Sequence, residues 1–138
     1  TDWLKKREVS KMKDLSDKIN ELKKELSIFD TSKIGLVKYL DRTYWIDPTS
    51  YSGEGEIAEW FASTTYDGAD IYIHDNAIDE FKKPYILHEI VESSLVRDGL
   101  STHAAHLVAK HFDGEYAKEI LSDSKYEEYE TLRLKLEK

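Results

Sequence analysis

The chain contains no cysteine. That removes a disulfide framework, a thiol nucleophile and every thiolate-based zinc motif. Any metal held here must be held by His, Asp or Glu. A basic excess is also missing: 20 Lys and Arg stand against 28 Asp and Glu, a formal net charge of −8. Phosphate recognition needs a basic stripe, so neither nucleic acid nor an anionic membrane surface is an expected partner. No run of about 18 apolar residues suggests a spanning helix, and no h-region marks a signal peptide. A cytoplasmic protein is the expectation. Thr1 opens the chain without a Met, which leaves room for an upstream segment removed by processing or trimming.

Several catalytic signatures are missing as well. There is no Gly-rich phosphate loop and no Gly-x-Ser-x-Gly elbow. His74-Asp75 forms an HD doublet, but no histidine precedes it to complete a phosphohydrolase site. No histidine has Glu three residues before it, as a ferritin-like di-metal site requires. Internal repeats and low-complexity segments are lacking too.

What remains is a chain of 138 residues with 40% hydrophobic content, enough for one folded domain with its own core. Residues 2–28 have the pattern of a long helix, in which Met12, Leu15, Ile19, Leu22 and Leu26 are spaced three and four apart. Such a seam fits either a dimerising coiled coil or an amphipathic helix laid on the domain's own core. The predicted division is therefore an N-terminal helix over 1–30 and an α+β domain over 31–138. Strand-like composition fills residues 34–47, with a turn expected at Asp41-Arg42, and a loop follows over 48–55. Residues 56–74 alternate around Tyr66-Asp67-Gly68 and predict a β-hairpin. Asp75 and Asn76 are candidate caps for a short helical turn over 77–81. Pro84 suits the first position of the next helix, which should end near Arg97 or Asp98 before Gly99. Ser101 or Thr102 caps another helix, running to about Ile120. A last helix is expected over 125–138, with Tyr129, Leu132 and Leu136 on one side. Trp3, Trp45 and Trp60 are candidates for core or contact residues, with the core the expectation because large aromatics dominate buried area. The fold class is α+β: a small antiparallel sheet followed by helices.

The chemistry concentrates in residues 83–115. All five histidines lie between His74 and His111, closer together than scattered core histidines would fall. His88 and Glu92 are four apart on one helix and point the same way, so they can hold one ion between them. Glu89 is rotated aside by about 100°, from where it can reach a water on that ion. A catalytic zinc needs a third protein ligand and an open position. His106 is the first choice, well inside the following helix. His103 lies nearer that helix's frayed end, His111 points about 140° away from His106, and Glu115 is a further candidate. Solvated polar residues on an ordinary amphipathic helix, with Ile86, Leu87, Ile90, Val91 and Leu95 as its core face, would give the same pattern.

His88-Glu89-Ile90-Val91-Glu92, followed by Ala105-His106, resembles the minimal zincin plan over about residues 69–120. It is similar to small gluzincin-like metallopeptidases. That resemblance implies zinc held by His88, Glu92 and His106, with Glu89 as general base and proton shuttle toward a carbonyl. It also implies that the strand over 70–74 is the edge along which an extended peptide lies. The sequence departs from the family at Glu92, where a zincin has His. A carboxylate there weakens the Lewis acidity of the ion, and iron or manganese suit such a sulfur-free set too. The proton donor or oxyanion stabiliser has Tyr72, Tyr85, Tyr116 and His103 as candidates. The expected activity is zinc-dependent hydrolysis of peptide bonds in a peptide or protein substrate. The alternative is a catalytically inactive zincin-like binding or regulatory module, with a homodimer through the N-terminal helix as a further expectation.

Overall fold

The structure, a computed structural model, describes residues 2–48, 57–74 and 77–136, and side chains between 13 and 134 within these spans. In chain order the elements are α1 (Asp2–Ile28), β1 (Gly35–Tyr39), β2 (Arg42–Asp47), β3 (Ala58–Ala62) and β4 (Gly68–Ile73). A 3-10 turn at Asp79–Phe81 leads into α2 (Lys82–Arg97), α3 (Thr102–Ile120) and α4 (Asp123–Leu136). The expected loop beyond Pro48, the hairpin start at Glu56, the caps Asp75 and Asn76, and the side chains of Trp3, Met12 and Leu136 lie outside the described residues.

The seam of α1 goes into the chain's own core. Ile19, Leu22 and Leu26 are fully buried there, with Leu15 packed against them, and the helix contacts both β1 and α2. Three-four spacing gives one apolar stripe, and from Ile19 onward the sheet and α2 cover it. Among the described residues no helix is long and apolar enough to cross a membrane.

The class is α+β as expected, but the sheet is mixed rather than wholly antiparallel. Its order is β1-β2-β4-β3, with antiparallel pairs at both ends and a parallel β2–β4 pair in the middle. The first hairpin turns at Leu40-Asp41, one residue before the expected place. Both residues have positive φ, 53° and 62°, as a two-residue type I′ turn demands, and Tyr39 pairs with Arg42 across it. The second hairpin forms as predicted. Ala69, Ile71 and Ile73 of β4 are buried, while Asp70 and Tyr72 face the other side half-buried. Gly68 sits at φ 141°, and a Cβ there would lie 1.8 Å from the Thr43 carbonyl oxygen. Only glycine permits so close an approach of β4 to β2.

The strand over 70–74 is not an edge: β4 lies between β2 and β3, and the edge strand beside the site is β3. Fully buried Ile71 and Ile73 suit a central strand, while β3 carries Glu59 and an exposed Phe61.

Helix α2 begins at Lys82, so Pro84 is its third residue rather than its first. Proline is still tolerated there, because amides of the first turn have no partner within the helix. At the other end Leu100 N–H bonds Leu95 C=O and Gly99 N–H bonds Val96 C=O, both at 3.0 Å. That pair of bonds is the Schellman motif, with Gly99 at φ 108°. Ser101 then caps α3, its Oγ accepting Ala104 N–H at 3.1 Å. A reversal this short lays α3 back along α2. Arg42 fixes the far end of α2 to the sheet, donating from Nη1 to Ser94 Oγ at 2.7 Å and from Nη2 to Asp98 Oδ1 at 2.5 Å. Helix α4 starts two residues before the expected position, with Ser122 C=O accepting Tyr126 N–H at 2.8 Å.

Candidate metal centre

Helical geometry brings His88 and Glu92 to one face of α2, and their side chains meet: His88 Nε2 lies 2.9 Å from Glu92 Oε2. Antiparallel packing of α3 delivers the third member. His106 Nδ1 lies 3.1 Å from the same Oε2, and the two imidazole rings sit edge to face with centroids 4.9 Å apart. One ligand atom from each of the three residues falls within 4.8 Å of the others. Two imidazoles and a carboxylate, without sulfur, are donors that zinc accepts and that also suit iron or manganese.

Further contacts fix these donors. Asp113 is seven residues beyond His106 on α3, and its side chain is only 3% exposed. It accepts from His88 Nδ1 at 2.5 Å through Oδ2. Its Oδ1 accepts from the Tyr129 hydroxyl and from Arg133 Nη1, each at 2.6 Å. Arg133 also donates to the Lys110 carbonyl at 2.8 Å and reaches both oxygens of Glu130. With Nδ1–H committed to Asp113, the nitrogen His88 presents inward is Nε2. A carboxylate behind a histidine in this way fixes its tautomer and ring orientation and raises its basicity as a ligand. On the opposite side, the indole N–H of Trp60 reaches Glu92 Oε1 at 3.2 Å.

The electrostatics follow from these contacts. Burial disfavours the charged form of His88, but the bonds to Asp113 and Glu92, with the charges of Asp113 and Glu89, outweigh it and push its pKa up to about 10. Burial likewise opposes ionisation of Glu92. Hydrogen bonds from His88, Trp60 and His106, and the charge of His88, hold it down to about 2. Without an ion, the cluster is an imidazolium–carboxylate assembly.

All of this borders a cavity of about 440 Å³. Residues 57–61 along the sheet edge form one wall, and Tyr85, His88, Glu89 and Glu92 of α2 form another. Helix α3 adds His106, Lys110 and Asp113, and α4 adds Tyr129 and Arg133. Glu89 is buried and lines this space beside the three donors. Tyr85 lines it too, its hydroxyl buried without a hydrogen-bond partner among the described residues.

The other candidates are placed elsewhere. His103 is exposed on the first turn of α3. His111 pairs with Glu115 on its own helix at 3.4 Å, both more than half exposed. Tyr72 packs edge-on against Phe61, centroids 5.9 Å apart, and Tyr116 is buried in the core. None of these five lines the cavity of the His–Glu–His group. Of the tryptophans expected in the core, Trp45 is 37% exposed on the outer face of the sheet, and half-buried Trp60 is tied to Glu92. Sequence reasoning missed Asp113, Tyr129, Arg133 and Trp60. Asp113 left a trace, since seven residues are two helical turns and place it on the His106 face. No family model, curated protein or solved structure matches the chain.

Proposed function

We propose that His88, Glu92 and His106 hold a zinc ion and that the centre hydrolyses peptide bonds. The carrying observation is the convergence of the three donor atoms within 4.8 Å, on the wall of a cavity that Glu89 also lines. The donor set fits the ion, and Asp113, bonded to His88 Nδ1, leaves Nε2 as the nitrogen turned toward it. When bound, zinc supplies Lewis acidity toward a carbonyl and toward water. The chain's own residues supply the rest. Glu89, one position along α2 from the first ligand, takes a proton from the attacking water and passes it to the leaving amine. Strand β3, which among the described residues pairs only with β4, runs beside the same cavity and is the strand along which an extended peptide would lie, in the manner of strand addition. Hydrogen bonds to Asp113 and Trp60 hold His88 and Glu92 in place.

A specific feature favours the alternative of a regulatory or binding module. Both oxygens of Glu92 are already engaged, Oε2 by two histidines and Oε1 by Trp60, so the cluster is internally satisfied as an ion-pair network. Glu89→Gln separates the two readings. A hydrolase variant keeps its zinc and loses about 10²–10⁴-fold of turnover, measured on a diverse peptide library by mass spectrometry. Zinc-loaded wild type that cleaves nothing in the library would overturn the hydrolase reading and leave the metal site standing.

A further inference from the structure

The two oxygens of Glu92 are used differently. Oε2 faces both histidines, at 2.9 and 3.1 Å. Oε1 is taken by the indole N–H of Trp60 at 3.2 Å. Trp60 comes from the sheet edge, not from the helices that supply the donors, and it pairs with Ile71 of β4 in a fixed register. Indole has one donor and no acceptor, so Trp60 can bond a carboxylate oxygen without competing for a cation.

Resting on the metal reading above, we propose that Trp60 is a positioning residue that holds Glu92 to ligation through Oε2 alone. A carboxylate beside a divalent ion can present one oxygen or both. A hydrogen bond from a neutral donor to an ionised oxygen is among the stronger kinds, and here it sits where Glu92 is largely shielded from water. It satisfies the oxygen that would otherwise swing onto the ion. The centre then offers three donors and an open position, the arrangement of catalytic zinc. Manganese prefers an octahedral oxygen-rich shell. Trp60 thus biases the ion's geometry from outside the ligand set. If Trp60 served only to pack the edge strand, any flat apolar side chain would do equally well.

Cobalt(II) is the probe, because four-coordinate cobalt absorbs intensely in the visible and six-coordinate cobalt weakly. Wild type is compared with Trp60→Phe and with protein carrying β-benzothienylalanine at position 60, which keeps the indole shape and replaces N–H by sulfur. The expected result is an intense visible spectrum for wild type. Both altered proteins should bind cobalt with bands weakened several-fold, and their preference for zinc over manganese should fall by about tenfold, the lower end for loss of a supporting contact. A weak, six-coordinate spectrum in wild type overturns the inference. So does a spectrum unchanged when the N–H is removed. Failure of wild type to take up cobalt or zinc overturns the metal reading itself, whereas uptake with unchanged spectra removes only the role of Trp60. The shape-preserving analogue decides the matter if Trp60→Phe does not fold.

Discussion

Helix α3 carries two histidines that each face a glutamate, and the two pairs are of different kinds. His111 meets Glu115 one turn along the same helix, with side chains 58% and 54% exposed. His106 meets Glu92 across the α2–α3 interface, where Glu92 is 12% exposed and shared with His88 and Trp60. An exposed pair four residues apart contributes a few tenths of a kcal/mol and is screened by salt. A shielded carboxylate shared by two helices and a strand must have its lone pairs satisfied, and the low local dielectric strengthens every bond it makes. Crowding of histidines in a sequence therefore supplies candidates. Convergence from separate elements, with a carboxylate behind His88, makes a group that could hold an ion.

Loss of a donor should cost the most. His88→Ala, Glu92→Ala and His106→Ala should each reduce retained zinc from about one per chain, the stoichiometry of a three-ligand site, to near zero. His103→Ala, His111→Ala and Glu115→Ala should leave it unchanged. Elemental mass spectrometry after dialysis reads the outcome. Zinc lost with His111 and kept without His106 would reverse the assignment. Asp113→Asn sharpens the same test: it touches no ion, and about 10–100-fold weaker zinc affinity is expected, as for other supporting residues.

The second expectation concerns pH. In the metal-free protein His88 is raised to about 10 and Glu92 lowered to about 2. Glu92 contributes stability that is present above its ordinary value of 4.5 and is lost as pH falls through 2. His88 contributes stability that is complete below 6.5 and is lost as pH rises through 10. The cluster therefore stabilises the metal-free fold most between pH 4.5 and 6.5. Ligation demands the opposite protonation of His88, since Nε2 must shed its proton. Zinc should raise Tm least near pH 5 and progressively more toward pH 9, with a proton released per ion bound. His111 faces Glu115 and not the three donors, so His111→Ala must preserve the effect of zinc on Tm. A zinc-induced rise in Tm that does not vary between pH 5 and 9 would refute the linkage.

Local chemistry was readable in the sequence where one element settled it. The stripe Leu15–Ile19–Leu22–Leu26 specified α1, Gly99 and Ser101 specified the turn between α2 and α3, and the four-residue spacing placed His88 beside Glu92. His106 followed from helix position and the reversal at Gly99. What stayed hidden depends on which elements become neighbours. Alternation in β4 fixes its faces but not its partners, so its parallel pairing with β2, and hence the edge position of β3, had no local signal. Trp60 reaches Glu92 over 32 positions of sequence, and Tyr129 reaches Asp113 only because α4 docks against α3. Aromatic bulk pointed Trp45 and Trp60 to the core, but one stands exposed on the outer face and the other serves a carboxylate.

The smallest expected effects come from two tyrosines that flank the cluster with rings 5.5 Å apart. Tyr129 gives its hydroxyl to Asp113 at 2.6 Å, and burial together with the Asp113 charge pushes its pKa well above the usual phenol value. The Tyr85 hydroxyl is equally buried yet has no partner among the described residues. Removing a donor from a buried carboxylate leaves that group short of a bond and costs about 1–3 kcal/mol. Arg133 still supports Asp113, so Tyr129→Phe should fall toward the lower end and reduce Tm by about 2–4 °C per kcal/mol for a domain near this size. Removing a buried hydroxyl that bonds nothing relieves a desolvation cost instead, so Tyr85→Phe should leave Tm unchanged or raise it slightly. Thermal unfolding of the metal-free variants at pH 6 compares them under conditions where His88 and Glu92 both hold their charges. Equal losses from the two substitutions would mean that Tyr85 donates to a group as important as Asp113, and the contrast between the neighbouring rings would disappear.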